Sequence, residues 1–393
     1  MAQRSAKDSL TRAILSKGCT PEEVTKREDD SGIEARSVSA RIRTVADLLA
    51  HIEADLDRFE VASSEATKWE GLTADRETGE PVVTELHRVH VRLRPKGGPT
   101  TREVVEAMIE AAKKEIRRPK QKKQATKRGG KLQVVIVSDT HFGKYAWHRT
   151  TGGDDYDLGL AERLVGAAGR ELVEVGDSHR PTRRVIAFLG DLFHYDTPSG
   201  TTTSGTPLER DGRLQKMIQV GCDSMLGIIE RSAETCQTDV VIVNGNHDET
   251  LTWAWQRIAV ERFRDSRNTN VSGEYRGRQY VRHGGNLLGF THGHKAKKKL
   301  PQIMALEQSA SWSECSYREW HTGHFHSQAA EWQRPIETLD GVVVRTAPAL
   351  CPPDDWHSTH GFVGSRQCME TFIYDHDAGL VAMHISQPRI KKA

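Results

Sequence analysis

Residues 132–143, LQVVIVSDTHFG, decide the fold of this chain. The apolar run Leu132–Val137 is followed at once by the polar residues 138–141. A short apolar run without polar alternation is typical of a strand that is buried on both faces of an α/β sheet. We therefore predict a central strand whose carboxyl end presents an Asp-x-His motif, formed by Asp139 and His141.

The same arrangement returns further along the chain. Apolar runs at residues 185–189, 240–243 and 287–291 each give way to a short polar motif, and a further motif lies at residues 323–326. Because the carboxyl ends of strands in an open α/β sheet form its binding edge, we expect the motifs to meet there. The candidate residues are Asp139, His141, Asp191, His194, Asn246, His247, Asp248, His292, His294, His324 and His326.

These motifs offer carboxylate, amide and imidazole groups and no cysteine. That donor set suits manganese, iron or zinc and disfavours a thiolate site. A single Asp-x-His or a single histidine is more often an ordinary polar group in a turn. Together, however, the motifs predict a metal centre, and Asp191 is a candidate to bridge two ions.

The ordered set resembles the signature of the calcineurin-like metallophosphoesterases, D-x-H, G-D, G-N-H-[DE], H and G-H-x-H, over about residues 132–330. The resemblance implies a four-layer α/β/β/α sandwich with two divalent ions, Mn²⁺ or alternatively iron or zinc. His294 competes with His292 as a ligand, and we favour His292 because it directly follows the strand. The implied ligands are Asp139, His141, Asp191 and His326 for the first ion, and Asp191, Asn246, His292 and His324 for the second.

The resemblance also implies a mechanism. A hydroxide held by both ions attacks the phosphorus in line with the leaving oxygen. His247 faces the substrate and stabilises or protonates that oxygen, and Asp248 orients His247. The second motif, GDLFH at residues 190–194, is similar to that of double-strand-break repair exonucleases, which assigns an assisting role to His194.

The amino-terminal part has a different character. We expect a helical, helix-turn-helix-like module at residues 1–60, with Arg36, Arg41 and Arg43 near the start of its third helix; a helical docking module is the alternative. Residues 61–131 are expected to be irregular, with one strand at 86–93 and a basic linker that begins near residue 113. Residues 132–393 form the predicted α/β phosphoesterase domain.

Basic residues favour nucleic acid as a partner. A second cluster, formed by Lys295, Lys297, Lys298 and Lys299, follows His292, and cationic patches bind and steer phosphate backbones. We therefore predict a DNA nuclease or DNA-associated phosphoesterase. The alternatives are a small-nucleotide phosphodiesterase or phosphatase with an assembly module, and a catalytically inactive DNA-binding adaptor.

Composition limits the other possibilities. The chain has 393 residues, of which 36% are hydrophobic, and its apolar runs fall far short of the roughly 20 residues that a membrane span needs. Six scattered cysteines indicate free thiols in a reducing compartment, so we predict a cytoplasmic protein. Residues 197–210 are either a surface loop or a substrate-facing lid. Trp356 is expected in the core, with His357 and His360 as candidates for the rim of the site.

Overall fold

The computed structural model describes residues 23–29, 32–74, 81–96, 106, 129–295, 297–324 and 336–388. The chain divides into two units, Met1–Thr100 and Thr101–Ala393. Among the described residues, no helix has both the length and the apolar character that crossing a bilayer requires. The second unit contains all the candidate metal ligands that the structure describes.

The described residues of the first unit form an antiparallel sheet and one helix. Its strands lie in the order β1-β2-β4-β3, and the helix α1 packs against β4. Val89, Val91 and Leu93 alternate along β4 and are buried together with Leu48 of α1, because alternate residues of a strand share one face. The elements are β1 (Glu23–Asp29), β2 (Gly32–Ser39), α1 (Val45–His51), β3 (Phe59–Ala74) and β4 (Pro81–Pro95).

The predicted helix-turn-helix is wrong for the described part of residues 1–60. Val38, expected on the third helix, lies in β2, and the described helix is limited to Val45–His51. The physical reason is the period-two burial of residues 32–39, which lets β2 pair with β4 along its length. The helices expected before residue 23 lie outside the described residues.

The segment expected to be irregular begins with a long hairpin. Strands β3 and β4 pair antiparallel from Phe59 with Pro95 to Ala74 with Pro81. The strand predicted at residues 86–93 lies within β4. Most of the predicted basic linker, residues 113–128, lies outside the described residues.

The second unit is a mixed α/β fold with two sheets, as the alternation of strands and helices predicts. One sheet has the order β15-β14-β5-β6-β7-β8, with β5 to β8 parallel, and the other has the order β12-β13-β11-β10-β9. The strands are β5 (Leu132–Val137), β6 (Arg183–Phe188), β7 (Thr238–Ile242), β8 (Thr269–Val271), β9 (Arg278–His283), β10 (Asn286–Thr291), β11 (Tyr317–Thr322), β12 (Ile336–Leu339), β13 (Val342–Thr346), β14 (Met369–Asp375) and β15 (Gly379–Ser386). The helices are α2 (His148–Thr151), α3 (Leu158–Asp177), α4 (Leu214–Thr235), α5 (Glu249–Arg262), α6 (Leu300–Glu307), α7 (Ser309–Glu314) and α8 (Asp355–Thr359), with a short 3₁₀ helix at Lys297–Lys299.

The buried strands of the six-stranded sheet contribute to two cores. Val135 and Val137 of β5 pack with residues of α3 and α4, whereas Val134 and Ile136 pack with Phe290 and other residues of the five-stranded sheet. A third cluster joins the five-stranded sheet to α6 through Trp320 and Met304. The continuous apolar runs of the sequence therefore reflect strands that are covered on both faces.

Candidate metal centre

The loops after β5 and β6 run side by side. The N–H of Asp139 donates to the carbonyl of Gly190 (3.2 Å), and the N–H of His141 donates to the carbonyl of Asp191 (3.1 Å). The N–H of Phe142 continues the ladder to Leu192 (2.8 Å). The parallel pairing of the two strands thus extends into their loops and brings the Asp-x-His motif beside Asp191.

Several candidate ligands have a left-handed backbone. The φ angles are +51° at Asp139, +44° at His141, +48° at Asp191 and +70° at His324. Residues other than glycine rarely adopt these backbone angles, and each instance costs on the order of 1–3 kcal/mol. Such strain persists only where the surroundings enforce it, and here it is concentrated in the loops that carry the polar motifs.

Two glycines allow the loops after β6 and β7 to approach each other. A Cβ on Gly245 would lie 2.0 Å from Oδ1 of Asp191, and a Cβ on Gly190 would lie 2.4 Å from the backbone nitrogen of Gly245. Gly190 also has φ of +86°. Because only glycine fits these positions, the two residues set the distance between Asp191 and the Asn246-His247 motif.

The first group of possible ligands comprises Asp139, His141 and Asp191, whose donor atoms all lie within 4.8 Å of one another. The Asp139 carboxylate accepts the Ser138 hydroxyl and the backbone N–H of His324, at 3.1 Å from Oδ2. These contacts fix the carboxylate in the cluster. His326, expected to complete this group, lies outside the described residues.

The second group comprises Asp191, His292 and His324, again within 4.8 Å. Nε2 of His292 lies 3.1 Å from Oδ2 of Asp191 and 3.1 Å from Oδ1 of Asn246. Nδ1 of the same ring donates to the carbonyl of Leu189 at 2.7 Å. This carbonyl fixes the ring so that its other nitrogen faces the carboxylate and the amide, an arrangement typical of histidines that bind metals.

His294 has a different environment from His292. It is half-buried, and its Nδ1 has no hydrogen-bond partner among the described residues. Burial, reinforced by the charge of His292, lowers the pKa of His294 to about 4. The ring centroids of His294 and His292 are 5.3 Å apart, so His294 lies beside the second group.

The charges of Asp191 and His292 stabilise each other. Burial disfavours both charges, but the attraction and hydrogen bond between them lower the pKa of Asp191 well below its usual range. The same pair raises the pKa of His292 to about 9 against the opposing effect of burial. Asp191 is therefore ionised, as a metal ligand must be.

A third group consists of His141, His194 and His247. Nε2 of His194 donates to the carbonyl of Glu209 (3.0 Å), and its Nδ1 lies 3.3 Å from Nδ1 of His141. Burial, together with the charge of Lys144, lowers the pKa of His194 well below its ordinary value. The neutral ring therefore offers Nδ1 as an acceptor beside His141.

The structure gives Asp248 a role other than the expected one. Its carboxylate accepts the backbone N–H groups of Asp191 (3.2 Å), Leu192 (2.8 Å) and Phe193 (3.0 Å), so it braces the loop after β6. Nδ1 of His247 instead bonds to the carbonyl of His194 at 3.0 Å. Burial, followed by the charge of Asp191, raises the pKa of Asp248 to about 7. The orientation of His247 thus comes from a backbone carbonyl.

A cavity of about 860 Å³ opens over these groups. The segment 197–210 forms part of its wall and is held in place, since the Thr203 hydroxyl donates to Asp196 (2.9 Å) and the N–H of Thr203 donates to the carbonyl of His247 (3.2 Å). The lining residues include His141, Asp191, His194, Thr202, Ser204, Thr206, Leu208, Glu209, Asn246, His247, His324, Asp354, Trp356, His357, His360 and Phe362. Trp356, expected in the core, is 57% exposed at the rim.

A buried ion pair near the cavity was not predicted from the sequence. Nζ of Lys144 is buried and lies 3.3 Å from Oδ2 of Asp354. Asp354 also accepts the backbone N–H (3.0 Å) and Nδ1 (2.6 Å) of His357. Lys144 lies three residues beyond His141 of the Asp-x-His motif, which is a usable signal, but nothing local in the sequence relates it to Asp354.

The side chains of the predicted nucleic-acid contacts are exposed wherever the structure describes them. Arg36 lies in β2, and Arg41 and Arg43 lie in the turn before α1; all three side chains are exposed. Lys295, Lys298 and Lys299 are exposed, and Lys297 begins the 3₁₀ helix that leads into α6. Among the described side chains of the second unit, Lys295, Lys298 and Lys299 are not part of the cavity lining.

Comparison with known proteins adds little to this geometry. No protein-family model matches the chain, and no curated protein matches it significantly. One similar solved structure is that of a conserved uncharacterized protein from Streptococcus pneumoniae TIGR4, described as a predicted phosphoesterase. It is 13% identical, with 62% of this chain and 84% of that chain covered and a TM-score of 0.26. A likeness at this level supports no conclusion about activity.

Proposed function

We propose that this protein is a hydrolase that cleaves phosphoester bonds with the help of two divalent cations. The observation that supports this most directly is the position of Asp191. It belongs both to the group with Asp139 and His141 and to the group with His292 and His324. A carboxylate that belongs to two sets of ligands is placed to bridge two metal ions, as in a two-metal site.

The residues present fit divalent cations. The donors are carboxylates, imidazoles and the Asn246 amide, a set that suits Mn²⁺, with iron or zinc as alternatives. His292 is oriented by the Leu189 carbonyl, and this leaves Nε2 as the nitrogen that faces Asp191. In the proposed assignment, Asp139, His141, Asp191 and His326 hold one ion, and Asp191, Asn246, His292 and His324 hold the other.

The cations would lower the pKa of a water molecule and neutralise charge on the phosphoryl oxygens. This chain's own residues then have separate tasks. His247 is held by the His194 carbonyl and lines the cavity, where its ring is available to donate a proton to a leaving oxygen. His194 assists from beside His141, and Asp248 braces the loop that carries Asp191.

The packing of the second unit supports the proposed architecture. Apolar clusters lie between the long helices and the six-stranded sheet, between the two sheets, and between the five-stranded sheet and α6. This order is consistent with the four-layer α/β/β/α sandwich implied by the resemblance to calcineurin-like metallophosphoesterases. We propose that the second unit has this architecture.

We propose that the substrate is a phosphodiester bond of a nucleic acid, and that this nucleic acid is DNA. We also propose that the enzyme is cytoplasmic. The support is the GDLFH motif and the exposed lysines that follow His292. A small-nucleotide phosphodiesterase is the second candidate, favoured by a cavity whose volume suits a single small ligand.

The test is hydrolysis by purified protein supplied with Mn²⁺. Linear duplex DNA, a cyclic dinucleotide and bis(p-nitrophenyl) phosphate would be compared, with release of each product followed over time. We expect metal-dependent hydrolysis of at least the last substrate. Hydrolysis of DNA favours the nuclease, and hydrolysis of the dinucleotide alone favours the second candidate. No hydrolysis of any of them with Mn²⁺, Fe²⁺ or Zn²⁺ would contradict the proposed function.

A further inference from the structure

A cluster of aromatic rings lies exposed at the rim of the cavity. Trp356 and Phe362 are 57% and 42% exposed. The ring of Trp356 is stacked on His360, with centroids 4.4 Å apart and an interplanar angle of 24°, and on Phe362, at 5.6 Å and 18°. Large aromatic side chains are usually buried to a high degree, so a nearly parallel set left in solvent beside a polar site indicates a binding surface.

Hydrogen bonds anchor the backbone that carries the aromatic cluster. Asp354 caps α8 by accepting the N–H of His357, and the Ser358 hydroxyl donates to the carbonyl of Thr151 at 3.0 Å. After α8, Gly361 has φ of +77° and reverses the chain, and the N–H of Phe362 donates to the carbonyl of His357 at 2.8 Å. The backbone that carries the rings is therefore anchored before any ligand arrives, which lowers the entropic cost of binding.

The same cavity contains the rings and the candidate metal ligands. Asp354 connects them, because it caps α8 and pairs with Lys144, which lies three residues beyond His141. A ligand in this cavity can thus place a phosphoryl group near Asp191 and a planar group against Trp356. A nucleotide has both groups.

The charges at the rim favour an unpaired base over a duplex. The acidic residues Glu209, Asp354 and Asp355 line the cavity, and its described lining includes no lysine or arginine. Such a surface does not attract several backbone phosphates at once, whereas stacking of a base on an aromatic ring needs no positive charge. Hydroxyl groups of Thr202, Ser204 and Thr206 offer hydrogen bonds nearby.

We infer that the aromatic cluster of Trp356, His360 and Phe362 is a stacking platform for an unpaired nucleobase of the substrate, from a strand end or a free nucleotide. The inference rests on the proposed phosphoesterase function and names the class of its substrate. Alanine substitution of aromatic residues that stack on bases typically weakens the interaction by about fivefold to 150-fold.

The experiment compares base-bearing substrates with phosphodiesters that lack a base. Single-stranded oligothymidylate is paired with an abasic strand of equal length, and a 2′,3′-cyclic nucleotide is paired with glycerophosphoethanolamine. In each pair, the kcat/KM for the base-bearing substrate is divided by the kcat/KM for the base-free one. For Trp356→Ala, this ratio should fall by at least about fivefold. Trp356→Phe should recover most of this ratio, and Trp253→Ala, which removes a 40% exposed tryptophan outside the cavity lining, should keep it.

A binding measurement separates this inference from the proposed function. Equilibrium binding of labelled oligothymidylate, of a labelled nucleotide and of their base-free partners to the Asp191→Asn protein needs no turnover, and the three variants would be tested in that background. A loss for the strand or for the nucleotide, but not for the other, identifies the source of the base. Equal losses for base-bearing and base-free ligands, or unchanged binding of both base-bearing ligands to Trp356→Ala, would overturn the platform. Absence of hydrolysis alone would contradict only the proposed function.

Discussion

Nε2 of His292 lies 3.1 Å from Oδ2 of Asp191, while Nδ1 of the same ring donates to the carbonyl of Leu189 at 2.7 Å. His292 follows β10 of the five-stranded sheet, and Leu189 and Asp191 follow β6 of the six-stranded sheet. One imidazole therefore ties together the loops of two sheets at the candidate metal centre. The site depends on the packing of the whole second unit and not on one loop.

His247→Ala should keep its metal and lose most of its activity. The residue lines the cavity and is oriented by the carbonyl of His194, which suits a group that transfers a proton. General acid–base help contributes roughly 10²–10⁴-fold to a rate. Metal content and kcat would be measured together, with His376→Ala, a half-buried histidine outside the cavity lining, as the control. Loss of metal from His247→Ala would contradict its placement outside the metal ligands.

Gly245→Ala should disrupt the site. Its Cβ would lie 2.0 Å from Oδ1 of Asp191, so the carboxylate or the loop must move. We expect weaker metal binding and a loss of stability on the order of 1–3 kcal/mol, as for other overpacked positions. Gly227→Ala is the matched control, because its Cβ meets nothing within 4 Å in α4 and should stabilise the protein by roughly 0.5–1 kcal/mol. Wild-type metal affinity in Gly245→Ala would refute the close approach of the two loops.

How far the sequence predicts this structure depends on how local each signal is. The buried strand Leu132–Val137 and the Asp-x-His motif after it are local, so the α/β class and the grouping of Asp139, His141 and Asp191 follow from short stretches. Arg36 and Val38 are predicted at the start of a helix but lie in β2, because the pairing of this strand with β4, distant in the sequence, decides its conformation.

Other features depend on contacts between distant residues. No local sequence pattern indicates the ion pair of Lys144 with Asp354 or the exposure of the Trp356 ring. A tryptophan is usually buried, so a residue-type argument places Trp356 in the core. The role of Asp248 was also missed, because its bonds to backbone N–H groups depend on how closely two loops approach.

Glu370 should make stability depend on pH. Burial raises the pKa of this side chain on β14 to about 7, although the charges of Arg345 and Arg366 oppose the shift. The folded protein thus keeps a proton on Glu370 at pH values at which the unfolded chain has already released it. The stability that this bound proton contributes is lost as the pH rises through about 7. Urea unfolding at about pH 5 and about pH 8 should show wild type losing stability relative to Glu370→Gln. Exposed Glu274→Gln is the control, and a parallel response of wild type and Glu370→Gln would contradict the prediction.

Salt dependence tests the predicted contacts with DNA. Each phosphate contact that is lost lowers the slope of log affinity against log salt by about 0.9. In the inactive Asp191→Asn background, duplex binding would be titrated for two sets of substitutions to glutamine. One set replaces Arg36, Arg41 and Arg43. The other set replaces Lys295, Lys297, Lys298 and Lys299. A slope that neither set reduces would remove the support for DNA as substrate and favour the small nucleotide.

Asp191→Asn tests the central claim most directly, because Asp191 is shared by both groups of candidate ligands. Metal content by mass spectrometry and hydrolysis of bis(p-nitrophenyl) phosphate would be measured on one preparation. Asp340→Asn is the matched control, since this exposed turn residue has nearly the same φ, +49° against +48°. We predict that Asp191→Asn folds, binds less metal and loses hydrolysis, while Asp340→Asn behaves as wild type. Full hydrolysis by Asp191→Asn would contradict a two-metal centre bridged by this carboxylate.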